Sequence, residues 1–467
     1  MRWNGLIPGG KASPTAGAPV AHRMNAAPEI WRGEVMPPSL PEVYRSLHVP
    51  KTGSFLKKML AFAGPGFLIS VGYMDPGNWA TDLAGGSKYS YTLLSVILIS
   101  NLMAVLLQSL CVKLGLATGR DLAQACRARY SRPVSLGLYG LAEIAIAACD
   151  LAEIIGSAIA LNLLFHIPLL WGVCLTGLDV FLLLLLQERG FRYIEALVVS
   201  LIALVGVCFG LEIIFSHPDL VGIAKGFIPA TQIVTDPGML FIAIGILGAT
   251  VMPHNLYLHS ALVQTRKVER TPEALREAVR FSQIDSAVAL TIALFVNAAI
   301  LIVSAATFYR AGYTHVAEIQ DAHKLLSPLL GVTGASTVFA VALLAAGQNS
   351  TLTGTLAGQV VMEGFLNIRL KPWLRRVITR GVAIVPAIIV TAAYGTSGTA
   401  KLLLLSQVVL SMQLSFAVFP LVIMTSDKSK MGEFANGTWL KTLSWGVGVL
   451  IAVLNGWLLL QAFSGKF

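Results

Sequence analysis

Gly72-Tyr73-Met74-Asp75-Pro76-Gly77-Asn78 interrupts an apolar segment that runs from residue 59 to residue 86. A carboxylate, a proline and a glycine in the middle of such a segment are costly, and each has a local consequence. Proline has no backbone donor and crowds the carbonyl four residues earlier, so a helix unwinds just before Pro76. The carbonyls freed there become ligands for a cation. The segment 238–264 carries a second break, Ala249-Thr250-Val251-Met252-Pro253-His254-Asn255. Aligning Pro76 with Pro253 also aligns Asn78 with Asn255 and Asp75 with Met252, at a constant offset of 177 residues. A single break of this kind reads best as an ordinary kink. Two at matched positions, with Asp, Asn, Met and His around them, read as the paired broken helices of a transporter's midplane substrate site.

The surrounding composition requires a membrane. Of 467 residues, 55% are hydrophobic and 12% charged, against roughly 25% charged in soluble domains, and the mean hydropathy is +0.72. Apolar runs of about 20 residues, enough to cross a hydrocarbon core of ~30 Å, recur along the chain. Eleven spans are predicted: 59–86, 90–117, 134–164, 167–187, 193–216, 238–264, 281–308, 335–365, 374–395, 401–425 and 439–462. The two breaks open successive sets of five, and an odd number of spans per set inverts the second set relative to the first. The predicted organisation is a disordered extension over 1–57, a first five-helix repeat over 58–220, an inverted second repeat over 221–426, and an eleventh helix with a short tail over 427–467. The extension is rich in Gly, Pro and Ala, and no leader-like apolar core follows Arg2.

The net charge of +10 would point to nucleic acid in a soluble protein. Placed on alternate sides of the eleven spans, 28 of the 34 Lys and Arg fall on one side and 6 on the other. The crowded side is expected to be cytoplasmic, with the N-terminus inside and the C-terminus outside. The sequon Asn436-Gly437-Thr438 then lies on the inner side. Five dispersed cysteines without a CxxC pair read as small buried hydrophobes.

The groups at the breaks describe a cargo. Asp75 offers an anionic oxygen, Asn78 an amide oxygen, the backbone near Ala249 a carbonyl and Met252 a thioether. Oxygens alone suit Ca²⁺ or Mg²⁺, whereas an added sulfur favours softer transition-metal ions. Methionine is also a common core filler, and the register match with Asp75 is what singles Met252 out.

With these motifs the chain resembles the Nramp family of proton-coupled divalent-metal transporters, close to bacterial manganese-uptake members, over roughly residues 55–462. Asp75-Pro76-Gly77-Asn78 and Met252-Pro253-His254-Asn255 carry the resemblance, with Gly347-Gln348-Asn349-Ser350-Thr351 through Gly364 in support. The resemblance implies an all-α LeuT-type fold with unwound helices 1 and 6. It implies Mn²⁺, Fe²⁺ or similar ions as cargo on Asp75, Asn78, the Ala249 carbonyl and Met252, with protons as the coupling ion and no resident cofactor. A glutamine of span ten joins the ion in some states of the family; Gln407 matches it best, with Gln413 close by. The expected location is a bacterial cytoplasmic membrane, with no obligatory protein partner.

Asp150 and Glu153 stand at i, i+3 on one face of span three. The resemblance makes them part of a proton route with Asp75, His254, His259 and Arg376. The structural alternative is that the pair locks helices together through Arg375, Arg376 or Arg380. His254 and His259, five apart, do not form a two-histidine metal site. Asp82, Asp179, Glu195 and Asp285 read as solvated or capping residues near span ends, and Gly347–Gly358 as a surface for close helix packing.

An amino-acid transporter of the same fold fits less well, because Asp75 would repel a substrate carboxylate. An uncoupled metal channel is opposed only weakly by the Asp, Glu and His series. No nucleotide-binding or nucleophile motif stands in a loop, so an enzyme is not expected.

Overall fold

Prolines at the first turn set the start of the two helices that matter most. The computed structural model describes residues 37–50, 52–178, 190–316, 318–368, 372–394 and 399–463. Helix α1 (Phe55–Phe62) meets α2 (Pro65–Ser70) at a bend of 48°, and a 3₁₀ turn over Val71–Met74 leads to Asp75 and then α3 (Pro76–Tyr89). The first set continues with α4 (Leu94–Thr118), α5 (Leu122–Arg129), α6 (Arg132–Phe165), α7 (Leu169–Thr176) and α8 (Phe191–Ser216). Two short helices, α9 (Leu220–Gly226) and α10 (Gln232–Thr235), lead into the second set. That set opens with α11 (Pro237–Thr250) and α12 (Pro253–Leu262), separated by Val251 and Met252. Then come α13 (Pro272–Ser304) with a π turn over Ala305–Tyr309, α14 (Ile319–Leu330), α15 (Ala335–Leu366), α16 (Pro372–Tyr394) and α17 (Thr399–Thr425). Helices α18 (Lys428–Met431) and α19 (Thr438–Phe463) finish the described chain.

All eleven expected spans contain helix. Seven segments among the described residues are long and apolar enough to cross a bilayer, α11 and α12 together making one of them, or eight if α1 and α2 with its 3₁₀ turn count as one span. The remainder fall short for physical reasons. Span one is broken, span four runs into undescribed residues after α7, and α15 carries Gly, Ser, Thr and Gln through its middle. The breaks match in detail: Asp75 (φ −68°, ψ 164°) and Met252 (φ −69°, ψ 125°) are both extended N-caps followed by a helix with Pro at its first position. Extended backbone followed by proline is the usual way to restart a helix. Here it happens twice inside a buried core, where the unwound carbonyls must find other partners.

The polar residues of span ends are corrected by their surroundings. Asp285 caps, as expected, but from the interior: its carboxylate accepts from Gly64 N at 3.2 Å and Gly66 N at 2.7 Å, and such a cap contributes about 1 kcal/mol. Glu195 is not solvated; it is buried and pairs with Arg266 at 2.6 Å and Arg192 at 3.0 Å. Asp82 is buried too, with no hydrogen-bond partner for Oδ2 among the described residues. Asp179 lies outside the described residues. Cys111, Cys126, Cys149 and Cys208 are free and buried as expected, whereas Cys174 is exposed.

The extension is ordered further upstream than its composition predicts. Residues 37–50 form a strap across the ends of α5, α12 and α15. Ser39 Oγ donates to Asp121 Oδ2 at 2.6 Å, Leu40 N to Glu363 Oε2 at 2.9 Å, and Gln359 Nε2 to Glu42 Oε1 at 2.8 Å. Strand β1 (Leu47–His48) pairs in parallel with β2 (Arg266–Lys267). Leu40 and Val43 enter the main core. Two apolar side chains and a few donors anchor the strap, too short a pattern to show a period.

Candidate metal site and its polar surroundings

The two breaks face each other. A Cβ built on Gly72 would lie 3.1 Å from Met252 Sδ and would clash with Asn255 Nδ2, so only glycine lets the segments approach this closely. Each repeat sends its asparagine to the other's backbone. Asn78 Nδ2 reaches Ala249 O at 3.1 Å, and Asn255 Nδ2 donates to Ile69 O at 3.4 Å.

Oxygens outnumber protons at Asn78. Its amide nitrogen has two hydrogens to give, yet Asp75 Oδ1 (2.6 Å), Ala249 O (3.1 Å) and Gly72 O (3.2 Å) all surround it. Asp75 Oδ1 also accepts from Asn78 N at 2.9 Å, while Oδ2 has no partner among the described residues. A cation would satisfy all the oxygens at once, and turning the Asn78 amide would add Oδ1 to the set, since the two amide atoms exchange places by rotation. Asp75 is 0% exposed and Met252 0% exposed, so a cation here is held without bulk water and must be paired with charge.

The structure therefore gathers Asp75, Asn78, Ala249 and Met252, and it adds two groups that were not singled out from sequence. The Gly72 carbonyl has no side-chain signal to announce it. Asn297 on α13, whose Nδ2 donates to Asn78 Oδ1 at 3.4 Å, is one amide on an apolar helix. Gln407 lies directly against Gly77, where any Cβ would overlap its amide. Its Nε2 donates to Ser406 Oγ at 3.0 Å, and Oε1 has no partner among the described residues. Gln413 sits elsewhere, lining a cleft of about 400 Å³ with Leu141, Phe416 and Asn455. Pro76 packs against α6, whose Gly156 leaves no room for a Cβ beside the ring.

Cys149 on α6 belongs to the same buried apolar cluster as Met252. Its Sγ lies 3.6 Å from Glu153 Oε1 and 3.8 Å from His254 Nε2, which links the acid pair of α6 to the start of α12. Asp150 and Glu153 are both buried. Gly354 of α15 touches them: a Cβ there would lie 2.6 Å from Asp150 Oδ1 and 3.2 Å from Glu153 Oε2. The close packing expected for Gly347–Gly358 thus brings α15 onto the acids. His259 stands apart from this group. Its Nδ1 lies 3.0 Å from Gln108 Oε1, and Gln108 Nε2 donates to Tyr73 Oη at 3.1 Å. The side chains of Arg375, Arg376 and Arg380 lie outside the described residues. Glu212 on α8, not singled out from sequence, is fully buried, and neither carboxylate oxygen has a hydrogen-bond partner among the described residues.

A cavity of about 330 Å³ is lined by Ala84, Ser87 and Lys88 of α3, Phe241 and Ile242 of α11, and Leu404 of α17. These positions are two or three turns beyond Asn78, about two before Ala249 and one before Gln407. None of Asp75, Asn78, Ala249, Met252 and Gln407 lines it.

Comparison with known proteins places this arrangement. The family described as natural resistance-associated macrophage protein-like (Nramp) matches residues 66–461. A divalent metal cation transporter MntH from Nostoc is 65% identical over 428 residues, covering 92% of this chain and 97% of the relative. Another, from Bradyrhizobium diazoefficiens, is 59% identical over 436 residues, covering 93% and 97%. Among solved structures, a manganese transporter from Eremococcus coleocola superposes with a TM-score of 0.83 at 44% identity, over 90% of each chain. Mhp1, a nucleobase-cation-symport-1 family transporter, superposes with a TM-score of 0.57 at 15% identity, covering 84% of this chain and 91% of its own. At that identity the likeness shows the fold alone, which is the LeuT-type architecture.

Proposed function

The chain belongs to the Nramp family, and from that premise we propose that it is a multi-pass membrane transporter importing divalent transition-metal ions, Mn²⁺ and Fe²⁺ among them, together with protons. The observation that carries this reading is the convergence of Asp75 Oδ1, Gly72 O and Ala249 O on one amide nitrogen, with Met252 Sδ beside them. Hard oxygens and one soft sulfur suit a borderline transition-metal ion better than Ca²⁺ or Mg²⁺. Gln407 Oε1, free beside Gly77, supplies one more oxygen.

In this reading the 330 Å³ cavity is the vestibule through which the ion enters, and the ion leaves toward the basic loops by alternating access. The excess of Lys and Arg on one side supports a cytoplasmic inner face with the N-terminus inside. Proton movement falls to Asp75, to Glu153 and His254 joined through Cys149, and to Asp150 one turn from Glu153 on α6, with Arg376 and His259 as further members. Buried acids in a membrane are retained for such work. The complete burial of Asp75 and Met252 argues against an open pore.

The test is Mn²⁺ uptake into proteoliposomes by the native chain and by Asp75→Ala. Loss of uptake is expected, with the variant's folding checked by its elution profile and thermal unfolding. Near-native uptake by a folded Asp75→Ala protein would remove the site assignment.

A further inference from the structure

The proposed vestibule is assigned to one face of the site, and the other face is shut. On the shut side every residue of α12 is buried, and Tyr73, Gln108 and His259 form a hydrogen-bonded chain beneath the breaks. On the transport reading, an ion bound at the breaks leaves on this side only when the buried contacts of α12 with its neighbours part.

The strap crosses this line of closure. Toward one side it holds α5 and α15: Ser39 on Asp121, Pro37 O accepting from Gln124 Nε2 at 3.0 Å, Leu40 N on Glu363, and Glu42 on Gln359. Toward the other it holds the chain that follows α12. Arg45 N donates to Gln264 O at 3.0 Å, Arg45 Nη2 donates to Val268 O at 2.8 Å, and β1 pairs with β2. Separating α12 from α5 and α15 therefore requires one set of these bonds to break. Two strap residues are also in the left-handed backbone region, Leu40 at φ 54° and Arg45 at φ 51°. A branched, bulky residue such as leucine rarely adopts that conformation, and it persists only where its surroundings impose it. Leu40 is buried while it does so.

We infer that residues 37–50 are a latch: docked, the strap holds the basic-loop side of the transporter closed, and it must unhook from α5 and α15 before the bound ion is released on that side. The latch uses the transport reading for its purpose, and its geometry is independent of which ion is carried. Undocking frees the backbone of Leu40 and Arg45 from the left-handed region, so the strain held in the docked state favours unhooking and the hydrogen bonds to α5 and α15 oppose it.

Two full-length variants test it. Ser39→Cys with Asp121→Cys places two thiols where a short hydrogen bond now stands. Oxidation is expected to stop Mn²⁺ uptake into proteoliposomes and reduction to restore it, with Mn²⁺ binding from the vestibule side retained throughout. Uptake at the same rate in the oxidised and reduced states would overturn the latch. Leu40→Asp sets a second carboxylate beside Glu363 and is expected to expel the strap. The reporter is native Cys126 on α5, buried in the closed state; its alkylation, read by peptide mass spectrometry, is expected to accelerate several-fold. Unchanged alkylation of Cys126 would overturn the proposal. That second measurement needs no metal, so a failure of the Mn²⁺ reading and a failure of the latch give different results.

Discussion

Met252 and Asp75 occupy equivalent places in the two repeats, and their chemistry divides the work of the site. The carboxylate supplies charge to any divalent ion; the thioether supplies softness to only some of them. Substituting Met252 with Ala removes the sulfur and leaves the oxygens of Asp75, Gly72 and Ala249 in place. Mn²⁺ binding is expected to persist, and the preference for Mn²⁺ over Ca²⁺ and Mg²⁺ to fall by about tenfold, the lower end of what a disturbed metal environment costs. Competition titration reads this directly, and unchanged discrimination would mean that the filter lies elsewhere. At this scale the sequence was most informative where a side chain contradicted its surroundings. Asp75, Asn78, Pro76 and Pro253 are anomalies in an apolar helix and can be read without coordinates. Gly72 O and Asn297 were hidden for opposite reasons, one because a carbonyl belongs to every residue, the other because one amide on a long helix has many uses. Glu212 and Asp82 were hidden because exposure cannot be told from identity near the end of a span.

Helices were legible as elements, and their contacts were not. The glycines of α15 announced close packing, but only coordinates show that Gly354 lies on Asp150 and Glu153. Gly354→Val is therefore expected to overpack the α6 and α15 interface and destabilise the fold by about 1–3 kcal/mol, seen as a lowered unfolding temperature in detergent. The Glu195 and Arg266 pair makes a second prediction of this kind. Arg266 also donates to Ala63 O at 2.6 Å, so the pair holds the bend between α1 and α2 as well as joining α8 to β2. Glu195→Ala leaves a buried guanidinium without its carboxylate, and such a loss costs about 3–5 kcal/mol; a thermal shift within error of the native chain would refute it. The strap was missed because its anchors are few, and its acid anchor gives it a pH dependence. Burial pushes the Asp121 carboxyl up to about 6, with Glu363 nearby raising it further and Ser39, Gln124 and the Ala123 backbone opposing. A carboxyl whose folded value is raised binds its proton more readily in the folded chain, so the stability it contributes around the strap is present below about 4 and is lost as pH rises through about 6. Exchange of backbone hydrogens around Leu40 and Leu122 should slow accordingly, and Asp121→Asn should remove the dependence.

At the scale of the whole molecule, the excess of basic residues and the buried acids answer different questions. The 28 Lys and Arg assigned to one side by the eleven expected spans are expected to orient the chain, and they say little about what crosses it. In the proposed reading, energy coupling falls to the few acids and histidines kept in the apolar interior, where Cys149 shares a buried cluster with Met252 and lies beside both Glu153 and His254. A divalent ion arriving at Asp75 brings two positive charges into a site that holds one carboxylate. The field it creates favours release of any proton bound nearby, and in the proposed reading Glu153 and His254 receive it or pass it on. If metal and proton then move in the same direction, a metal gradient alone must drive protons. In proteoliposomes with no initial pH gradient and with the potential clamped, added Mn²⁺ is expected to acidify the lumen in step with metal uptake. Glu153→Gln, which keeps the shape beside Cys149 and loses the charge, is expected to lower the protons moved per ion more than the metal affinity. Metal uptake without acidification in the native chain would leave an uncoupled carrier and would confine the acid pair to holding α6 against its neighbours.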